Sequence, residues 1–169
     1  MRTEMLNSFN LLLKNTSKES DRGLVLSMSA FMEESLGLVL KKYLKDVPAT
    51  TELIEGFNAP LGTFSARTKL AYSLGLISEK QHKDINLIRK IRNEFAHKWH
   101  VTSLEDVNVS ANVDALSESS LNPGTQTLSK HLKFQYLAGE LLIILEFIQE
   151  SVQPCNVISN SAAIEMHKP

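Results

Sequence analysis

Apolar residues recur at spacings of three and four along most of this chain, the mark of amphipathic helices, and no stretch carries a convincing strand pattern. Met5, Leu6, Phe9, Leu12 and Leu13 make a first stripe. Leu24, Met28, Phe31, Met32, Leu36, Val39, Leu40 and Tyr43 make a second and longer one. Ser17 or Ser20 can cap that helix, with Glu19 and Asp21 favourable near its start and Lys41, Lys42 and Lys45 near its negative end. Asp46-Val47-Pro48 stops it.

A short helix is expected around Thr51 to Glu55, followed by a compact turn over residues 56–62. Thr63 or Ser65 can cap the next helix, which runs to about Leu74, with Gly75 as a left-handed C-cap. Ser78 opens another, ending near Trp99, whose core stripe is Ile85, Ile88, Ile91 and Phe95. Residues 101–127 are rich in Ser, Asn and Asp and read as a long connection, with a short helix near Leu104 to Leu116. The last helix spans about Leu128 to Val152 and buries Phe134, Leu137, Leu141, Ile144, Leu145 and Ile148; Pro154 ends it. The pattern predicts an all-α single-domain bundle of about six or seven helices over residues 1–152, with a polar, mobile tail over 153–169.

Composition narrows the function. At 169 residues and 43 % hydrophobic the chain can bury one real core. A formal net charge of −1 supplies no global basic field to draw it to nucleic acid or an acidic membrane, although a local patch is compatible with that total. Cys155 is the only cysteine, and His82, His97 and His100 make no metal signature, so neither metal nor cofactor is expected. The polar start offers no secretory signal, and the run Leu141 to Leu145 is far short of a membrane span. A soluble cytoplasmic protein is expected.

Candidate chemistry concentrates in the run from Ile88 to His97. Arg92 is always cationic and His97 can change charge near neutral pH, a pairing suited to a phosphodiester. In a ribonuclease His97 would move the proton, Arg92 would hold the phosphate, and Asn93 would orient the 2′-hydroxyl or His97. Glu33 or Glu34 could tune Arg92 or His97. Asn93 and His97 share a helix face, but Arg92 lies about 140° around from His97, so one chain presents the pair imperfectly and a two-fold dimer could combine two such helices in one cleft. The structural alternative is a hydrogen-bonded network of Arg92, Asn93 and His97 that fixes helix packing or a dimer seam.

A DNA reader fits poorly. Residues 67–86 can be read as helix, Gly75 turn, helix, but the positions a helix-turn-helix should bury are Gln81 and Asp84, and only Lys80, His82 and Lys83 are offered at the second helix's start. The turn at 56–62 lacks phosphate-loop spacing. It reads as a tight turn in which Asn58 and Pro60 could touch a partner or ligand. Arg67, one turn beyond the cap, could reach an acidic neighbour.

The segment Asn58 to Ile77 carries Pro60-Leu61-Gly62, then Ser65-Ala66-Arg67-Thr68-Lys69-Leu70, then Tyr72-Ser73-Leu74-Gly75, and it resembles the mannitol operon repressor family over roughly residues 20–150. That resemblance implies an all-helical transcriptional repressor of sugar-alcohol uptake genes. Arg92 to His97 also resembles the Arg/His motif of HEPN domains, which implies a helical module, often dimeric, with metal-independent ribonuclease activity in some members. The resulting expectation is a homodimeric regulator that acts through a protein partner and does not read DNA directly. A HEPN-like ribonuclease, or its inactive relative in a toxin–antitoxin or defence system, is the alternative, with RNA as its partner.

Overall fold

The computed structural model describes residues 10–121 and 123–156, and those residues form seven α-helices, one short 3-10 turn and no strand. Helix α1 covers 10–16, and Met5, Leu6 and Phe9 of the first predicted stripe lie outside the described residues. Then follow α2 (Asp21–Tyr43), α3 (Pro48–Glu55), α4 (Phe64–Ser73), α5 (Glu79–His97), α6 (Val107–Asp114) and α7 (Lys130–Ser151), with the 3-10 turn at Thr125–Thr127 before α7. The bundle is all-α, as the periodicity predicts.

Local chemistry sets the helix starts. Ser20, not Ser17, caps α2, its Oγ accepting from Gly23 N at 3.1 Å. Thr63 caps α4, and Ser65 lies inside that helix. Ser78 and Gln81 form a reciprocal capping box on α5. Pro48 begins α3, where its missing N–H costs nothing, so α3 starts three residues earlier than expected. Gly75 takes φ 70° after α4, as a left-handed C-cap requires.

The centre of the bundle is α2 packed against α7 and α5, with α4 alongside both α2 and α5, and α6 covering α5 and α7. Leu24, Met28, Met32, Leu36 and Leu40 of α2 meet Ile85, Ile88, Ile91 and Phe95 of α5 in one core, all of them fully buried. Phe31 departs from the predicted stripe. It is 46 % exposed, because the buried face of α2 turns through Leu24, Val25, Met28 and Met32 instead. Helix α2 is long and apolar enough to cross a bilayer by length and composition, yet half of that stretch is buried inside the bundle.

The long polar connection is pinned, not loose. Carboxylates on the helices accept from its backbone: Asp21 Oδ2 from Leu104 N at 2.7 Å, Asp84 Oδ1 from Ser117 N at 3.0 Å, and Glu140 Oε2 from Ser120 N at 2.9 Å. Asp21 Oδ1 also meets His131 Nδ1 at 2.6 Å, joining the first turns of α2 and α7. Burial alone would raise the Asp21 pKa. The hydrogen bonds from His131, Leu104 N–H and Ser103 outweigh it and hold the carboxyl below its ordinary value. Of the tail, Cys155 N donates to Tyr43 O at 2.7 Å, and residues 157–169 lie outside the described residues.

Candidate functional site

Helix α5 places Arg92 and Asn93 in its next-to-last turn, on the side facing the start of α4. With Arg89, Glu33 of α2 and the stretch Gly62 to Ser65, they line a cleft of about 270 Å³. Arg92 Nη2 lies 3.6 Å from Glu33 Oε2, and Arg92 Nη1 donates to Asn93 Oδ1 at 3.2 Å. The ion pair is long and its arginine side chain is 35 % exposed, so its contribution is small. Of the two candidate carboxylates the structure selects Glu33; Glu34 is exposed and lies away from the cleft.

His97 is the last residue of α5, exposed, outside the cleft lining and without a hydrogen bond among the described residues. One chain therefore assembles Arg92, Asn93 and Glu33 in the cleft and leaves His97 out of its lining. The group that would move the proton in a ribonuclease is thus not part of the cleft that holds Arg92.

Arg67 does something the sequence did not announce. Instead of an acidic side chain it meets three backbone carbonyls, Leu61 O at 2.9 Å, Glu33 O at 2.9 Å and Ile54 O at 3.0 Å. Five fixed donors let one guanidinium tie α2, α3, the turn and α4 together. Gly37 makes room for it, since a Cβ there would sit 2.9 Å from Arg67 Nη1. Asn58 and Pro60 are exposed in the adjoining turn, and Asn58 takes φ 58°, a left-handed conformation that asparagine tolerates.

Arg22, which no sequence motif singled out, closes the C-terminal end of α5. Its guanidinium bonds the Phe95 carbonyl and reaches Lys98 O at 3.0 Å, Trp99 O at 3.1 Å and Val101 O at 2.7 Å. It supplies donors to carbonyls that a helix C-terminus leaves unpaired. A signal was present: a cation in the first turn of α2 opposes that helix's own dipole, so its presence there points to a task elsewhere. Trp99, just beyond, is 86 % exposed.

Of the two polar positions weighed against a DNA reader, Asp84 no longer argues against it. Asp84 is buried despite its charge, with Ser117 N as donor, and Gln81 is spent on the capping box. Helix α5 is flanked by α4 and α6 and backed by α2. A recognition helix must stand clear enough to enter a groove, and packing on three sides speaks against that role.

These features agree with the comparisons. The family model described as "Mannitol repressor" (MtlR) matches residues 20–134. The chain belongs to the mannitol repressor family. The mannitol operon repressors of Escherichia coli K12 and of Escherichia coli O6:H1 are each 31 % identical to it over 95 residues, covering 54 % of this chain and 49 % of theirs. The chain thus spans about half the length of the curated relatives it matches. The X-ray structure of the MtlR-HPr complex from Escherichia coli is similar at a TM-score of 0.55 and 20 % identity, over 84 % of this chain and 96 % of that one, which shows a shared fold.

Proposed function

We propose that this member of the mannitol repressor family is a cytoplasmic, non-enzymatic regulator that lowers transcription of sugar-alcohol uptake genes through a protein partner and not through a DNA reader of its own. The observation that carries this reading is the placement of α5. Its apolar residues Ile85, Ile88, Ile91 and Phe95 are fully buried and α2, α4 and α6 pack around it, so α5 serves as a core element of the bundle, which speaks against a recognition helix. The structural relative from Escherichia coli is in complex with HPr, which makes an HPr the first partner to test.

Calorimetric titration of the purified chain with HPr from the same cell is expected to give saturable one-site binding, and absence of heat and of co-elution overturns HPr as partner. A gel shift on promoter fragments is expected to show no sequence preference; a strong one would overturn the adaptor reading. The ribonuclease alternative finds less support, since His97 does not line the Arg92 cleft of one chain and a second chain would have to supply it. RNA cleavage by the wild type that both Arg92→Ala and His97→Ala abolish would reinstate it.

A homodimer belongs to the same reading. What supports it is apolar surface left outside the core on the α2–α7 pair, at Phe31, Leu38 and Phe147. Light scattering that returns a monomer mass rejects it.

A further inference from the structure

The outward side of α5 carries charge that the fold does not consume. Lys80, Lys83, Leu87 and Lys90 are spaced by three, four and three, which places them within about 80° of one another on the helix. The three lysines are exposed, and none has a carboxylate at ion-pair distance among the described residues. Lys80 Nζ reaches only the Glu118 carbonyl, at 3.4 Å.

This stripe is the floor of an open groove of about 750 Å³. Tyr72, at the end of α4, forms one wall, its ring stacked on His82 with centroids 4.3 Å apart and planes 10° apart. Asn86 steadies the stack, its Nδ2 lying 3.0 Å from His82 Nε2 and 2.9 Å from the His82 carbonyl. Ser117 forms the opposite wall, held by the buried Asp84. Glu79 is the one carboxylate in the lining, so three lysines less one glutamate leave the groove at +2 in a chain whose total is −1.

We propose that this groove docks an acidic amphipathic helix of a protein partner, its carboxylates over Lys80, Lys83 and Lys90 and one apolar side chain on Leu87 and Tyr72. Helical spacing of the floor matches the spacing of anchors on a helix laid along it. Charge complementarity selects an acidic occupant and steers its approach. The apolar patch between the lysines selects a polypeptide over a phosphodiester, because a regular string of phosphates would meet Leu87 in its middle and Glu79 at its edge. The walls are already fixed by ring stacking and by Asp84, so little ordering is needed on binding.

The proposal rests on the partner-protein reading above, and its test uses different titrants. The probe is a fluorescent synthetic peptide of about four helical turns with glutamates and a single leucine on one face. Its controls are a scrambled peptide of the same composition and an oligothymidine of the same charge. Anisotropy is expected to give a Kd on the order of 10–100 µM for the ordered peptide, weakening as salt rises. In Lys83→Glu/Lys90→Glu affinity falls at least about tenfold. Both positions are exposed, and an unchanged thermal melt shows that the variant is folded; Lys83→Gln/Lys90→Gln gives an intermediate loss. Equal binding of ordered and scrambled peptides, tighter binding of the oligothymidine, or undiminished binding by the charge-reversed variant overturns the proposal. Failure of the wild type to bind the ordered peptide while it still binds HPr rejects the groove alone, and the reverse rejects HPr alone.

Discussion

Glu33 belongs to two regions that use arginine in opposite ways. Its carbonyl accepts from Arg67 at 2.9 Å, in a knot where one guanidinium serves three backbone acceptors from three segments. Its carboxylate faces Arg92 at 3.6 Å, at the rim of an open cleft where the other guanidinium has one long ion pair and one neighbouring amide. The acceptors of Arg67 are main-chain atoms that cannot move without moving helices, whereas those of Arg92 are side chains that can turn away. The first arginine therefore bears on stability, and the second keeps donors free for a ligand or partner.

Removing the knot should produce the largest effect. Arg67→Ala leaves buried carbonyls without a charged donor, and a loss of about 3 kcal/mol or more is expected from urea midpoints. Arg67→Lys should recover little of it, since an ammonium cannot reach three separated acceptors in a plane. Next is Gly37→Ala, which presses a methyl to 2.9 Å from Arg67 Nη1; a cost of about 1–3 kcal/mol is expected, and a neutral result would mean that Arg67 can shift without loss.

A third variant compares the knot with the other polar tie, at Asp21. The folded pKa of Asp21 lies below its ordinary value, so its stabilisation is full above the unfolded carboxyl pKa and is lost as pH falls through the folded one. Asp21→Asn should cost about 1–2 kcal/mol at neutral pH, and the gap to wild type should close below about pH 4. A gap that persists at pH 2 would show that packing, not charge, is what the substitution disturbs.

Arg92→Ala should be the mildest, within about 0.5 kcal/mol of wild type in the same urea experiment. A loss matching that of Arg67→Ala would abolish the contrast and make Arg92 a structural tie as well.

Helix number, the caps at Ser20, Thr63 and Ser78 and the Ile85-Ile88-Ile91-Phe95 stripe were legible because each depends on residues within one or two turns. Family resemblance was legible for the same reason, through the compact run from Pro60 to Gly75. What escaped was action at long range. Arg67 to Glu33 spans 34 positions and Arg22 to Val101 spans 79, and no local spacing encodes a side chain seeking a distant carbonyl. The Ser-rich stretch was legible only as a long connection with a short helix, because its anchoring comes from Asp21, Asp84 and Glu140 on other elements. At the candidate site Arg92 and Asn93 line one cleft and His97 does not, and whether the three act together depends on neighbours that local spacing does not encode.

The chain has a single tryptophan, and Trp99 stands in water beside the corner that Arg22 closes. Its indole is already solvated in the folded state, so intrinsic tryptophan emission is a poor reporter of melting of the interior, and circular dichroism has to carry that measurement.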